Sequence, residues 1–474
     1  MTVESRHASR RSASCSRCSS TRTVRAAPFE RRFQRFRRGR RSAGDPETGC
    51  PQDAEAGIML RVPRPLWMLA CLFICPAQAQ VLEVKETEAF DLPEGASIDT
   101  LEVDADGKHW WCEVTFASTE GTGFLKAVVQ NGQRTPGFSE LWAVSENRGK
   151  NVLCRCDVAA GKVLLRDGVE VLSATNIHIA AVGSTGRWAA VMYRDDAVWL
   201  VVDGKEEKVS EEIEELRFSP DGSRLVSRRR DRDRSAAWVV IDGEKQKKYR
   251  ETSWVRFSAD SKHLIYPAAI DKDKWVVVVD AAEKSKGHRD VYRPRLSADG
   301  KRFAFIAGVG KDENCAVIDG AEGKVYKRLN LFEPPDFSPD GAHYAFPASL
   351  TLQSVAMVHD GVEGKAYANA AKFSFSPDGK RLAYWGVQAQ DRMHVVLDGS
   401  EIATVEAGSS LTFSPDSKSL AYLQRSAEGW ALVHEGAVGP RYAHIVRKIH
   451  FTGPKRGHVF AVRESKVWKV EFGD

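Results

Sequence analysis

The decapeptide FSPDGKRLAY, Phe375 to Tyr384, constrains this chain more than any other feature, because worn copies of it return about every 39 residues from residue 98 to the end. Ser376-Pro377-Asp378-Gly379 suits a type I turn: proline presets φ at the second position, aspartate tolerates the third, and glycine is favoured at the fourth. An apolar run ends at Phe375, and Leu382-Ala383-Tyr384 alternates as a strand does between two packed faces. The turn is therefore a hairpin tip. Clear copies stand at Phe218 to Gly222, Phe257 to Asp260, Leu296 to Gly300, Phe337 to Gly341 and Phe413 to Asp416. Fainter ones stand at Val103 to Gly107, Val144 to Gly149, Val182 to Gly186 and Phe451 to Gly457.

Between these marks an apolar strand runs into Asp-Gly, as in Val201-Val202-Asp203-Gly204, Val240-Ile241-Asp242-Gly243, Val317-Ile318-Asp319-Gly320 and Val396-Leu397-Asp398-Gly399. Asp-Gly between strand-like runs signals a tight hairpin that needs φ > 0 at its centre. Each unit thus holds four strands. Four antiparallel strands in about 40 residues, in tandem, predict an all-β fold, a β-propeller of four-stranded blades. The uninterrupted period favours a single ring of about ten. Seven or eight blades with flanking strands, or two smaller propellers, are the other arrangements the spacing admits. Residues 81 to 92 offer one additional strand, and the last repeat, Val446 to Asp474, has room for only three, so an N-terminal strand is expected to close the ring and hide both sheet edges.

On these motifs, residues 80 to 474 resemble the TolB-type, WD40-like propeller repeats, which also occur in the propellers of prolyl-oligopeptidase-like and tricorn-like peptidases. The Trp-Asp dipeptide of true WD40 repeats is missing, and neither a TolB-like α/β domain nor a peptidase domain is expected. The resemblance implies a scaffold and leaves its activity open.

Residues 1 to 58 are rich in Arg and Ser, contain no lysine and show no apolar periodicity, so they read as a disordered segment or as a mis-assigned start upstream of Met59. From Met59 the pattern is that of a signal peptide, residues 59 to 79: Arg61 and Arg64, an apolar run Leu66 to Cys75, and Ala77-Gln78-Ala79 as a small-x-small cleavage site. It is too short to span a membrane as a helix. The expected product is a periplasmic or secreted propeller with no transmembrane segment. The formal +5 of the chain is borrowed from this leader. Residues 1 to 79 hold 15 of the 69 Lys+Arg and 6 of the 64 Asp+Glu, which leaves 54 against 58 and gives no argument for nucleic-acid binding. Four cysteines follow the leader, Cys112, Cys154, Cys156 and Cys315. Their placing in adjacent blades, or on one face of one strand, predicts buried thiols rather than bridges.

Candidate chemistry lies on the strands before each tip, which should be innermost. The residue preceding the motif's Phe or Leu is Arg217, Arg256 and Arg295 in three successive repeats, then Asp336, Ser374, Thr412 and His450, with Glu102 in the first. Equivalent positions form an arc about the axis, and three guanidinium forks there suit a carboxylate, phosphate or sulfate. A structural polar layer, with the arginines paired to Asp336, Glu215 or carbonyls, is the competing expectation. Arg228-Arg229-Arg230-Asp231-Arg232-Asp233-Arg234 reads as a charged loop on the rim of variable connections, where binding usually resides. His109, His263 and His343 alternate with Arg224, Arg302 and Arg381 at strand starts and read as a polar rim. His359 and His434 precede hairpin turns two blades apart, too far to share a ligand. No metal, cofactor, nucleophile-elbow or phosphate-loop motif stands out. The function expected is a non-catalytic exported scaffold, a monomer, that binds a protein, peptide or glycan of the envelope. The alternative is a lyase or glycoside hydrolase working in the channel.

Overall fold

The computed structural model describes residues 81–91, 97–103, 109–118, 124–146, 151–329, 333–389, 392–446, 448–463 and 466–473. The expected disordered segment and signal peptide lie outside these. The described residues form ten antiparallel sheets and no helix, so none of them builds a helix long and apolar enough to cross a membrane. Blades 1 to 10 open with the strands Ser97–Val103, Leu141–Glu146, Asn176–Val182, Glu212–Phe218, the pair Glu251–Thr252 and Arg256–Phe257, Asp290–Leu296, the pair Arg328–Leu329 and Asp336–Phe337, Asn369–Phe375, Ala407–Phe413, and the pair His444–Ile445 and His450–Phe451. In each of the first nine blades the strands pair in sequence order.

Blade 10 is completed from the other end of the chain. Val84–Asp91 pairs antiparallel with Lys466–Phe472, from Val84 opposite Phe472 to Asp91 opposite Lys466, with a bulge near Glu88. The ring is thereby closed as expected, with the N-terminal strand as the outer edge of that blade.

The core lies between blades rather than within them. Each of ten apolar clusters is shared by two consecutive blades. One joins Ala383, Trp385 and Val395 of blade 8 to Leu411, Phe413 and Tyr422 of blade 9, and another joins Phe460 and Val467 of blade 10 to Leu101, Cys112 and Val129 of blade 1. Buried large side chains contribute roughly 1.5–3 kcal/mol each. That stabilisation exists only when the neighbouring blade is present, as in other repeat architectures.

The two sequence motifs do distinct work. In blade 4 the Gly222 N–H donates to the Ser219 carbonyl (2.8 Å), closing the turn. The Ser219 hydroxyl donates to Asp221 (2.5 Å) and accepts from the Arg224 N–H (3.0 Å). The Ser219 hydroxyl first, and then the Ser223 N–H and hydroxyl, hold the Asp221 carboxyl down at about 2. At the Asp-Gly tips both central residues have positive φ, 50° and 82° at Asp203-Gly204, which an L-residue other than Asn or Asp adopts reluctantly. The aspartate also caps the ladder, since Asp203 accepts from the Trp188 N–H (2.8 Å) and Asp242 from the Leu225 N–H (2.8 Å).

The second carboxylate oxygen meets the polar rim read from the sequence. It accepts from Arg187 (3.0 Å), Arg224 (3.2 Å), Arg302 (2.9 Å) and Arg381 (2.9 Å), or contacts His263 (2.6 Å) and His343 (2.5 Å). Each of these arginines then reaches a carbonyl of the next blade, Ser223, Lys262, Ala342 and Lys418 in turn. Each also lies over that blade's motif phenylalanine, as Arg302 does 4.9 Å from the centre of the Phe337 ring. The motif arginine is thus a clamp between blades. On the outer side a second belt repeats: Tyr326 and Lys324 both donate to Glu363 (2.9 and 2.7 Å), and Tyr367 and Lys365 both donate to Glu401 (2.8 Å each). At the closure Glu86 of the N-terminal strand plays this part, accepting from Tyr442 (2.5 Å) and Arg463 (2.7 Å).

Two local features depart from the sequence reading. The connections around 267–274, 307–314 and 347–353, expected as long variable loops, are mostly strand: Leu264–Asp271, Phe303–Gly310 and Tyr344–Thr351 run on to tight turns. In blade 5 the first strand is interrupted opposite Pro267, whose carbonyl still accepts from the Ser253 N–H (3.0 Å).

Candidate functional site

The first strands of neighbouring blades touch one another: Asn176–Val182 meets Glu212–Phe218, and Asp290–Leu296 meets both Arg256–Phe257 and Asp336–Phe337. This packing places the residues before the motif on one wall. Arg256 shows the result. Its guanidinium is held below the ordinary arginine range, first by burial and then by the charges of Arg295 and Arg217, with Glu215 acting in the opposite sense and Arg293 adding to the crowding. The structure therefore brings Arg217, Arg256 and Arg295 into one electrostatic neighbourhood.

The three arginines are not equivalent. Arg217 donates to Glu215 Oε1 through Nε (3.3 Å) and Nη2 (3.2 Å), and the other oxygen of Glu215 accepts from the Val255 N–H (3.3 Å) across the blade boundary. Arg256 and Arg295, by contrast, have neither a hydrogen bond nor an ion pair among the described residues. The pairing expected of a structural polar layer is met at one position of three. Asp336 is exposed on this wall yet enclosed by protein. Loss of bulk water raises its carboxyl above the ordinary range, offset in part by Arg295, the Phe337 N–H (3.0 Å) and Arg256.

Farther around, Glu102 accepts from the Trp111 indole (3.3 Å), Ser374 and Thr412 are half-buried, and His450 is buried with its ring stacked on His458 at 5.2 Å. The arc is thus cationic over blades 4 to 6 and largely neutral beyond blade 7. Two further residues were missed in the sequence. Trp254 is 51% exposed, and Arg293 lies 5.0 Å from the centre of its ring. They stand two positions before Arg256 and Arg295, Trp254 just outside the strand Arg256–Phe257 and Arg293 at a register shift with φ of 44°. A cavity of about 460 Å³ lies beside Arg217, lined by Trp142, His178 and Glu215 among others. A larger one, about 720 Å³, lies away from the arc between blades 6 and 7, among Asp290, Lys311 and Asp312.

Because Asp336 takes up a proton more readily than an ordinary aspartate, the wall gains positive charge as pH falls. Sulfate stays dianionic through this range and is the suitable probe. Wild-type affinity for sulfate is expected to rise as pH falls from 7.5 toward the ordinary carboxylate range, whereas Asp336→Asn should bind about fivefold more tightly at pH 7.5 and show a weaker pH dependence. The fivefold figure corresponds to the ~1 kcal/mol of one nearby charge in a well-solvated site. Calorimetric titration across this pH range checks this, and equal affinities for the two proteins would contradict it.

The arginine run needs correction. Arg228, Arg229 and Arg230 are not in a loop but on the strand Leu225–Arg230. Arg228 pairs with Glu214 and lies 3.6 Å from Glu215; Arg229 is 6% exposed and 3.8 Å from Glu211; Arg230 meets Glu214 (2.9 Å) and Glu251 (3.4 Å). Acidic neighbours on Glu212–Phe218 and in the next blade neutralise what looked in sequence like a free basic patch. Only the turn keeps the expected place, and there Arg232 donates to the Ser210 carbonyl (3.0 Å) and Arg234 has φ of 60°. The four described cysteines are buried and free, as read from their spacing, and burial drives the Cys112 thiol up to about 12 and that of Cys315 to about 11.

No protein-family model and no curated protein matches the chain. Solved structures do. A eukaryotic initiation factor is 12% identical with a TM-score of 0.42, over 68% of this chain and 90% of that one. The dihydro-heme d1 dehydrogenase NirN, in complex with DHE, is 14% identical with a TM-score of 0.34, over 68% and 78%. TolB from Acinetobacter baumannii is 14% identical with a TM-score of 0.26, over 53% and 78%. A TolB structure is therefore among the solved chains similar to this one, while the repeat type rests on the motifs alone. Likeness at this level says nothing of activity.

Proposed function

We propose that the protein is a non-catalytic, exported propeller scaffold that grips an anionic group of a protein, peptide or glycan partner in the cell envelope, at the wall formed by Arg217, Arg256 and Arg295. The observation that carries this reading is the pair of guanidinium groups, Arg256 and Arg295, which have no hydrogen bond or close ion pair among the described residues although the charge of Asp336 is felt nearby. Like charges crowded on a wall of restricted solvation cost free energy, and a bound carboxylate, sulfate or phosphate would relieve it. Arginine offers such groups two parallel hydrogen bonds. Export is supported by the composition of residues 59 to 79.

The lyase or hydrolase reading needs two available carboxylates across an open cleft. Glu215 is committed to Arg217 and the Val255 N–H, which favours binding. Capture from envelope extract tests the proposal. The wild-type protein should retain a partner that is lost when Arg217, Arg256 and Arg295 are all replaced by alanine. A partner retained equally by both proteins removes this wall from the binding surface.

A further inference from the structure

Blade 7 breaks the pattern of the motif rim in a way that creates a different site. In the other blades whose tip aspartate meets an Arg or His of the rim, the residue before the aspartate is aliphatic: Val202, Ile241, Val279, Ile318 and Leu397. Blade 7 has His359 there, beside Asp360 and opposite Ala345 of the adjoining strand Tyr344–Thr351, with His343 just before the start of that strand. His343 Nδ1 lies 2.5 Å from Asp360 Oδ2, His359 Nε2 lies 3.7 Å from the same oxygen, and the two imidazole centres are 5.7 Å apart. One ligand atom from each of the three residues falls within 4.8 Å of the other two.

The second observation concerns the state of His359. Its Nε2 is shielded from solvent and has no hydrogen-bond partner, although the ring edge is packed near Phe375 at 5.8 Å. A buried ring nitrogen without a partner costs free energy. The histidine at the matching place in blade 9, His434, has solved the same problem by contact with the Ser419 hydroxyl at 3.2 Å. His359 has no such neighbour.

We propose that His343, His359 and Asp360 form a binding site for a divalent transition-metal ion of the zinc, copper or nickel class. Two imidazoles and a carboxylate select these ions over calcium or magnesium, which prefer all-oxygen shells. Bonds of roughly 2.0–2.2 Å to each ligand require the His343 to Asp360 contact to open and His359 to move closer. The ion takes the place of the proton shared by His343 and Asp360, which leaves to solvent. Asp360 is 38% exposed at its side chain, so the remaining coordination positions face water or a partner's donor. The ion would tie the first hairpin of the blade to the second.

The fold supplies its own controls. His359→Ile and His343→Arg each install the residue that other blades carry at that place, so neither should disturb the ring. His263, paired with Asp280 at 2.6 Å but with Val279 beside it, is the same rim pair without a third ligand. Calorimetric titration of metal-free full-length protein with zinc chloride should show one equivalent of bound ion that is absent, or weakened at least tenfold, in His359→Ile and in His343→Arg, since loss of even an outer-shell partner costs about 10–100-fold. His263→Arg should leave that equivalent unchanged. Cobalt titration should give a visible d–d band in the wild type that both blade 7 variants lose. An unchanged stoichiometry and affinity in His359→Ile overturns the proposal, and so does an equal loss in His263→Arg.

Discussion

Removal of residues 81–91 is expected to leave the chain unable to form a stable ring. The strand Val84–Asp91 is the outer strand of blade 10, and without it Lys466–Phe472 becomes an open edge. The deletion also removes Leu82 and Val84 from the cluster around Ile445 and Phe472, and Ala89 from the cluster between blades 10 and 1. The Leu82 N–H bond to the Val438 carbonyl (2.9 Å) is lost, along with Glu86 from the Tyr442 hydroxyl and Glu88 from Lys466 (2.8 Å). At about 1 kcal/mol for each ladder hydrogen bond and 1.5–3 kcal/mol for each buried aliphatic side chain, the sum is on the order of 10 kcal/mol. Folded domains have roughly 5–15 kcal/mol in all. Thermal melting and size exclusion should therefore show aggregation or no cooperative transition. Glu86→Ala, which spares the ladder, should lower Tm by only a few degrees. A deletion variant that stays monomeric and melts within about 2 °C of the wild type would show that the ring does not depend on this closure.

Replacing Arg256 and Arg295 together by alanine should separate binding from structure. Neither side chain has a hydrogen bond or close ion pair among the described residues, and Arg256 feels both Arg295 and Arg217 as repulsion. Their loss should weaken binding of sulfate at least about thirtyfold, since hydrogen bonds to a charged group contribute roughly 1.5–3 kcal/mol apiece. Tm should stay level or rise. Were the arginines members of a satisfied buried network, their removal would cost about 3–5 kcal/mol and lower Tm instead. For a ring of this size 1 kcal/mol moves Tm by only about 1 °C, so denaturant midpoints are the better measure. Arg217→Ala is the contrasting case, because it strips Glu215 of its partner and should destabilise. Loss of stability in the Arg256 and Arg295 double variant, with sulfate binding intact, would assign those two arginines to the scaffold.

The fold was legible from two short turns. Ser-Pro-Asp-Gly and Asp-Gly demand particular φ and ψ values, so they read as hairpins wherever they stand, and their alternation counts strands and hence blades. The strand at 81–92 could be offered to blade 10 because that repeat was one strand short. The interrupted first strand opposite Pro267 could not be foreseen: a proline reports its own missing N–H and not how its neighbour responds. The run Arg228 to Arg234 misled for a related reason. Charge along one strand looks free until the partner strand supplies Glu214, and Glu211 and Glu251 close in from outside the sheet.

The arc itself could be read as an alignment of Arg217, Arg256 and Arg295, since repeats put like positions at like radius. Whether each was paired could not. Arg217 finds Glu215 two residues away in the same strand, while the matching place is Trp254 in blade 5 and Arg293 in blade 6, so Arg256 and Arg295 remain unpaired. The blade 7 cluster was hidden for the same reason: His343 and His359 are 16 residues apart, and only the hairpin register makes them neighbours.

Local chemistry, read residue by residue, was enough to read the four-stranded repeat, to favour about ten of them and to offer a way for the ends to meet, because turn geometry and strand period act over a few residues. Which charges are satisfied, and which metal-binding side chains converge, was decided by contacts between strands and between blades. Coulomb energy and coordination depend on distances across the sheet, and only the closed ring sets them.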